Sequence, residues 1–257
     1  MDGVAYVDAL NKNTSAGAPC NKSKRNYLKL DETSGRYVPT ASMQEAVDAI
    51  SACYEQGQRA TPVFMAHLKD QAIPKKKVDA EKVRVFVGGP MAWTIVVRQR
   101  LLWFIRLAQC NRIPFELGAG TVAQSVEWGH IYEYLTAFGT DRIVAGDFGK
   151  FDKRMGSSFI LYAYWIIVQF AQKAGMSDED IQQIWCIAED TAFAFTNFNG
   201  DLIMFLGSNP SGHPLTVIVN SLVNSLYMRY VYRQVAPHAE KERFKQNVHL
   251  YTYGAVS

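Results

Sequence analysis

Apolar residues recur at helical spacing along several long segments of this chain, and this periodicity constrains the fold more than any other feature. Residues 91–110 and 157–174 are the strongest examples. Residues 214–233 form a third predicted helix, with Pro214 in its first turn. The longest apolar run, residues 159–170, is shorter than the roughly 20 residues that span a bilayer. We therefore expect buried helices and no transmembrane segment.

Shorter segments between these helices have strand-like patterns or capping signals. The predicted strands are residues 83–87, 142–146 and 248–253, with a hairpin over residues 196–205 that turns at Asn199-Gly200. Two more predicted helices are residues 42–56, between Ser42 as N-cap and Gly57, and residues 177–189, with Ser177 as N-cap. The first 40 residues are predicted to be loops. Helices and strands in mixed order favour an α+β fold.

Charge and cysteine usage exclude few functions. A net charge of +3 permits a nucleic-acid partner without requiring one. The four cysteines include no Cys-x-x-Cys pair, so the sequence predicts neither a zinc site nor a disulfide framework.

Two aspartates follow the predicted strand at residues 142–146. Asp147 comes directly after the strand, next to a glycine turn, and Asp152 lies five positions further on. Carboxylates are the ligands that hard cations such as Mg²⁺ prefer, and a two-metal phosphoryl-transfer site needs at least two of them. The alternative is an ordinary surface turn, in which Asp and Gly are common.

A Ser-Gly pair opens the predicted helix at residues 214–233. Ser211 and Gly212 would bring main-chain N–H groups to a phosphate, and Thr216 and Asn220 share a helical face four positions apart. Alternatively, Ser211 caps the helix and Asn220 makes a hydrogen bond in the core. His213 lies in the same loop, but no Ser/His/Asp or Cys/His set accompanies it, so we assign it no chemistry.

Five stretches in a fixed order cover nearly the whole chain. They are Thr14-Ser15-Ala16-Gly17-x-Pro19; Lys69-Asp70 through Lys75-Lys76-Lys77, Lys82 and Arg84; residues 147–152; Ser211-Gly212-x3-Thr216-x3-Asn220; and Tyr251-Thr252-Tyr253-Gly254. In type and order they resemble the motifs of RNA-dependent RNA polymerases from picorna-like positive-strand RNA viruses.

The resemblance implies a right-hand polymerase fragment that performs template-directed RNA synthesis. Fingers would comprise residues 1–140 and 173–210, and the palm residues 141–172 and 211–257. Asp147 would bind catalytic Mg²⁺ (or Mn²⁺). The ribose 2′-hydroxyl would be read by Asp152, Ser211, Thr216 and Asn220. The triphosphate would be neutralised by Lys69, Lys77 and Arg84. The RNA would be held by Thr14, Ser15 and Gly17.

The implied partners are an RNA template and primer strand, ribonucleoside triphosphates and other viral replication proteins. The implied location is the host cytoplasm, at viral replication complexes. A reverse transcriptase shares the palm chemistry, but the Asp152 and Asn220 pair and the Thr-Ser-Ala-Gly loop argue against it. The lysines at positions 75–77 are alternatively a solvated run or a nuclear localisation signal.

The chain departs from the family pattern at the expected catalytic turn. Two aspartates normally follow the Tyr-Gly pair, whereas Ala255-Val256-Ser257 stands here. The later palm motifs and the thumb are expected to be absent from this fragment. We therefore predict little or no polymerase activity for the isolated polypeptide, which leaves a non-catalytic RNA-binding fragment as the main alternative. Gln71 and Ile73 are smaller departures, where relatives have Glu and a basic residue.

Overall fold

The computed structural model describes residues 5–122 and 124–254, apart from the side chain of Asp152. The helices are α1 (Ala41–Glu55), α2 (Lys75–Asp79), α3 (Met91–Cys110), α4 (Arg112–Phe115), α5 (Glu127–Leu135), α6 (Phe151–Arg154), α7 (Ser157–Lys173), α8 (Asp178–Ala192), α9 (Thr216–Val235) and α10 (Phe244–Asn247). The strands are β1 (Leu28–Asp31), β2 (Arg36–Pro39), β3 (Val63–Leu68), β4 (Val85–Gly88), β5 (Phe195–Phe198) and β6 (Asp201–Met204). The α+β prediction is confirmed.

Helices α3 and α7 form the centre of the hydrophobic core. Trp93, Leu101 and Phe104 of α3 and Ile160 and Tyr164 of α7 are all fully buried. Their spacing places them on the inner faces of their helices. Helix α1 packs against α3, and α8 and α9 pack against α7. Helices α3 and α7 were predicted within one residue of their observed ends, because their apolar periodicity is continuous and ends at clear breaks.

One mixed sheet joins two parts of the chain that are distant in sequence. Its strand order is β4-β3-β5-β6, in which β3 and β5 run parallel and the other pairs are antiparallel. The β5–β6 hairpin turns at Asn199 (φ 56°) and Gly200 (φ 105°). Two successive positive φ angles are what a two-residue hairpin turn requires, so the predicted hairpin is confirmed.

Two predicted strands are absent or reduced. The prediction of a buried strand at residues 142–146 is wrong, because the segment forms no strand and Val144 is 90% exposed. Residues 248–253 likewise form no extended ladder, and the bridge between Thr252 and Leu117 is an isolated one. A short apolar run predicts a strand only if a partner strand lies beside it, and in the described part of the chain neither segment has one.

Three further predictions, one of a loop and two of helix starts, are also wrong. Residues 28–39, predicted as loop, form the β1–β2 hairpin, whose mixed polar composition gives little alternating signal. The N-cap of α1 is Thr40 and not Ser42, because the extended backbone of Thr40 precedes the first helical residue. Helix α9 begins at Thr216, so Pro214 lies before the helix instead of in its first turn.

Candidate functional site

Two loops that the sequence singled out, one near each end of the chain, meet at the end of strand β4. The Val87 N–H donates to Ser211 Oγ at 2.8 Å, and the Gly212 N–H donates to the Val87 carbonyl oxygen at 2.7 Å. On the other loop, the Ala16 carbonyl oxygen accepts from the Met91 N–H at 2.8 Å. Ser211 therefore anchors its loop to β4, and the alternative prediction that it caps α9 is wrong.

Two glycines allow these loops to approach the β4–α3 junction. A Cβ atom on Gly212 would lie 2.5 Å from the Val87 carbonyl oxygen, and one on Gly17 would lie 2.6 Å from that of Gly89. Gly17 also has a φ of 71°, which L-residues with side chains rarely adopt. Backbone contact thus accounts for both glycines.

Thr14 and Ser15 are exposed on the loop that contains Gly17. The Ser15 Oγ accepts from the Gly17 N–H at 3.1 Å, and the Thr14 Oγ1 accepts from Lys24 Nζ at 2.6 Å. Burial and the neighbouring Arg98 lower the pKa of Lys24. An exposed hydroxyl pair beside cations is a suitable surface for a phosphate backbone.

The first turns of α9 hold Thr216 and Asn220 in different ways. The Thr216 hydroxyl contacts the carbonyl oxygens of His213 at 2.7 Å and Pro210 at 3.0 Å, which closes the loop before the helix. The Asn220 Oδ1 accepts from Asn209 Nδ2 at 2.8 Å. Each side chain therefore has a structural contact, and Asn220 keeps its own N–H groups for another partner.

His213 is buried and neutral. The Leu215 N–H donates to Nδ1 at 2.8 Å, so Nε2 carries the proton and donates to the Tyr164 hydroxyl at 2.8 Å. That hydroxyl in turn contacts Thr191 Oγ1 at 3.2 Å. Burial lowers the pKa of His213 to about 3, so the imidazole stays uncharged near neutral pH. Its contacts join α7, α8 and the loop before α9.

Asp147 is exposed and lines a cavity of about 680 Å³. The lining comes from the loop that contains Asp147 and from residues 246–250, with contributions from Leu135 at the end of α5, from Phe138 and from Met228 of α9. Asp147 therefore shares a cavity with the segment that leads into Tyr253-Gly254. Asp152 belongs to α6, but its side chain lies outside the described part of the structure, as do Ala255, Val256 and Ser257.

Residues that the sequence did not single out hold the segment that contains Thr252. The Thr252 N–H and hydroxyl both donate to the Glu116 carbonyl oxygen, at 2.7 and 2.8 Å. The Gly118 N–H donates to the Thr252 carbonyl oxygen at 2.6 Å. The Gly254 N–H donates to Ser221 Oγ on α9 at 2.9 Å. The segment is thereby fixed between the 116–118 loop and α9.

Glu116 is itself held by an ion pair with α9. The residue is 1% exposed, and its two carboxylate oxygens each accept from Arg229 at 2.7 Å. Ser225 Oγ adds a third hydrogen bond at 2.7 Å. Bidentate pairing of this kind is strong and directional. The only available sequence signal was a carboxylate between two apolar residues, Phe115 and Leu117, and this signal does not identify the partner.

The basic residues form a separate group on the β3–α2–β4 segment. The Lys69 N–H donates to the Arg84 carbonyl oxygen at 2.8 Å, which places the two residues side by side where the strands end. Lys77 lies on α2, and all three side chains are exposed. None of the three forms a salt bridge with any residue that the structure describes. Their charge is therefore available to a ligand.

The described residues supply one possible metal ligand, and they do not form a complete metal site. Asp147 is an accessible carboxylate of the type that Mg²⁺ prefers. Within residues 5–122 and 124–254, no group of three or more His, Cys, Asp or Glu side chains is placed to hold a metal ion.

Comparisons with known proteins agree with the sequence motifs. The viral RNA-dependent RNA polymerase family matches residues 1–254. The replicase polyprotein of cricket paralysis virus is 33% identical over 213 residues, which cover 75% of this chain and 11% of the polyprotein. The replicase polyprotein of Drosophila C virus is 28% identical over 270 residues, which cover 97% of this chain and 15% of the polyprotein.

A solved structure, the Sicinivirus 3Dpol RNA dependent RNA polymerase, shares the fold. Its TM-score is 0.76 at 19% sequence identity, and the match covers 100% of this chain and 51% of that protein. The chain thus spans about half of a polymerase with the right-hand fold. With the family match extending over residues 1–254, this chain belongs to the viral RNA-dependent RNA polymerases.

Proposed function

We propose that the polymerase containing this chain synthesises RNA on an RNA template during viral genome replication. The 3′-hydroxyl of the growing strand would attack the α-phosphate of a ribonucleoside triphosphate and release pyrophosphate. The observation that carries the proposal is the meeting of the Gly17 loop and the Ser211-Gly212 loop at the end of β4. The Ser211-Gly212 loop leads directly into α9, the helix that bears Asn220. The names of the relatives, replicase and RNA polymerase, give further support.

The proposed sugar site consists of Asn220, Ser211, Thr216 and Asp152. Ser211 Oγ accepts from β4, so its own proton remains available to a ligand. Asn220 likewise retains its amide protons, because its Oδ1 is the atom that contacts Asn209. A site built to hydrogen-bond a substrate hydroxyl disfavours the analogue that lacks it, which would select ribonucleotides over 2′-deoxyribonucleotides.

The proposed triphosphate contacts are Lys69, Lys77 and Arg84. Their exposure and the absence of described salt bridges support this role, because each charge can approach an anion without first breaking a pair. Cations placed where negative charge develops stabilise phosphoryl transfer.

The proposed RNA contacts are Thr14, Ser15 and Gly17. Both hydroxyl side chains are exposed, and Thr14 already hydrogen-bonds the ammonium group of Lys24. Gly17 would act through its backbone contact with the β4–α3 junction, which holds the loop in place.

Viral RNA-dependent RNA polymerases generally depend on divalent metal ions, and we propose Asp147 as one ligand for Mg²⁺ (or Mn²⁺). When bound, such an ion stabilises charge on the transferring phosphoryl group. The exposed position of Asp147 beside the cavity supports this role. The residues described here do not complete the site.

The proposed division of the chain is fingers at residues 1–140 and 173–210 and palm at 141–172 and 211–257. The pairing of β3 with β5 supports it, because it joins both fingers segments in one sheet. We further propose that the polymerase works with other viral replication proteins at replication complexes in the host cytoplasm. Among the described helices, none has the length and apolar character needed to cross a membrane.

Primer extension by the polymerase that contains this chain tests the proposal. With an RNA template–primer and Mg²⁺ or Mn²⁺, we expect Asp147→Ala to lower ribonucleotide incorporation by about a hundredfold or more. Asp141→Ala is a matched control, because Asp141 is an exposed carboxylate in the same loop region. Undiminished incorporation by Asp147→Ala would exclude the proposed metal role, and preference for deoxyribonucleotides would favour a reverse transcriptase.

For the isolated polypeptide, RNA binding without catalysis is the second candidate. It is favoured by the sequence after Tyr253-Gly254, where Ala255-Val256 stands in place of the two aspartates of the family pattern. We expect RNA binding that persists in EDTA and no nucleotide incorporation. Incorporation that requires a metal ion and disappears in Asp147→Ala would contradict this expectation.

A further inference from the structure

Asn209 is a buried amide whose orientation is defined by its neighbours. The residue is 2% exposed, and its Nδ2 donates to Asn220 Oδ1 at 2.8 Å and to the Thr216 carbonyl oxygen at 3.4 Å. Both partners are acceptors, so a flipped amide would place oxygen against oxygen at both positions. The amide nitrogen of Asn209 must therefore face α9.

This orientation determines which end of the Asn220 amide is available. Because Oδ1 of Asn220 accepts from Asn209, its Nδ2 points away from that contact. Among the described residues, the side-chain hydrogen bond of Asn220 is the one that its Oδ1 accepts. The Nδ2 group is therefore the end of the Asn220 amide that remains available as a donor.

The segment before Asn209 is anchored to the end of α6. Gly207 bridges Gly156, and the Ser208 N–H donates to the Met155 carbonyl oxygen at 2.8 Å. A Cβ atom on Gly207 would lie 2.2 Å from the Met155 carbonyl oxygen, so only glycine allows this approach. Since α6 contains Asp152, the contacts tie Asn209, and through it Asn220, to the backbone just after Asp152.

The contacts of Asn209 have a cost in stability. Its Oδ1 is buried and has no hydrogen-bond partner among the described residues. An unsatisfied buried acceptor destabilises a fold, and an apolar side chain of similar volume would avoid this cost. Core packing alone therefore does not account for an amide at this position.

We propose that Asn209 is a positioning residue for sugar selection, which holds the Asn220 amide with its Nδ2 donor toward the 2′-oxygen of the incoming ribonucleotide. The proposal rests on the proposed function, in which Asn220 contacts the ribose. Asn209 itself touches no substrate. Its removal would free the Asn220 amide to rotate and would weaken the preference for a 2′-hydroxyl.

The test compares ribonucleotide with 2′-deoxyribonucleotide incorporation by the polymerase that contains this chain. We expect Asn209→Leu to lower the ratio of the two kcat/KM values by about three- to tenfold, the effect of losing one neutral hydrogen bond. Asn209→Ala removes the same donor without adding volume and serves if the leucine variant does not fold. Gln183→Leu is the matched control, because Gln183 is also a buried amide with an unpartnered oxygen, on α8.

The outcomes separate the inference from the function on which it rests. If Asn220→Ala lowers the ratio and the Asn209 variants do not, the positioning role is wrong and the proposed sugar site stands. If Asn220→Ala leaves the ratio unchanged, the sugar site fails and the inference fails with it. If Gln183→Leu lowers the ratio as much as Asn209→Leu, the effect is general destabilisation and the positioning role is refuted.

Discussion

Replacing Arg229 with methionine should destabilise the fold strongly. Arg229 donates to both oxygens of Glu116, whose side chain is only 2% exposed. In Arg229→Met, the buried carboxylate would keep only the Ser225 hydroxyl as a described side-chain partner. The guanidinium group also lies over the Phe244 ring, 4.4 Å from its centroid, and this contact would be lost as well.

The expected loss in free energy of unfolding is about 3 kcal/mol. Breaking a buried ion pair by removing one partner costs roughly 3–5 kcal/mol. We take the lower end because the Arg229 side chain is 30% exposed, so water partly screens the pair. For a chain of this size, 1 kcal/mol shifts the unfolding midpoint by about 2–4 °C, so a decrease of about 6–12 °C follows.

Thermal unfolding followed by circular dichroism measures this loss, and the same helix supplies the control. Arg233 pairs with Glu242 at the surface, where the two side chains are 61% and 76% exposed. Arg233→Met should therefore cost less than about 1 kcal/mol. If Arg229→Met costs no more than Arg233→Met, the Glu116 ion pair does not stabilise the fold and the reasoning is refuted.

Hydrogen exchange gives a local test of the same contact. The Glu116 carbonyl oxygen accepts from the Thr252 N–H at 2.7 Å, so loosening Glu116 should increase exchange at Thr252. Helix α3 lies elsewhere in the core and serves as the reference. Exchange of its amide hydrogens should increase only as far as the global loss of stability requires. Unchanged protection at Thr252 relative to α3 would show that Glu116 does not hold this segment.

The remaining predictions concern pH and packing. Burial lowers the pKa of His213 to about 3. Between pH 6.5 and about 3, the unfolded chain therefore binds a proton at this histidine that the folded chain does not bind. The free energy of unfolding should fall as the pH falls through this window, by up to about 1.4 kcal/mol per pH unit. In urea titrations across this range, the free energy of unfolding of His213→Gln should depend less on pH than that of the unsubstituted chain. His130→Gln, at an exposed histidine, is the control. Equal pH dependence in the two variants would contradict the lowered pKa of His213. Gly212→Ala should lower the free energy of unfolding by about 1–3 kcal/mol, because its Cβ would lie 2.5 Å from the Val87 carbonyl oxygen. Gly129→Ala, where nothing lies within 4 Å, should be neutral or stabilising in the same thermal assay, and equal effects of the two substitutions would refute the packing argument.

The elements that could be predicted from sequence have signals that lie within a few residues of one another. Ser177 was predicted as the N-cap of α8, and its side chain accepts from the Asp180 N–H. Asn199-Gly200 predicted a hairpin turn, and both residues adopt the required positive φ. In each case the interaction that defines the structure forms between near neighbours, so the local sequence contains both partners.

The candidate site could be predicted by residue type but not by contact. The Ser-Gly pair at positions 211–212 was identified as a loop before a helix, yet its anchor is Val87 on a strand far away in sequence. The exposed apolar run at residues 142–146 shows the same limit, because strand formation depends on a partner that no local pattern specifies.

The sequence by itself determined the α+β class, the order of the polymerase motifs and hence the family. Only the tertiary structure decided which distant groups became partners. Glu116 pairs with Arg229 across 113 positions, and Asp190 accepts from Arg59 across 131 positions. The physical reason is that periodicity, caps and turns act between neighbouring residues. The pairing of buried charges, by contrast, depends on how whole helices pack, and many arrangements are compatible with the same local patterns.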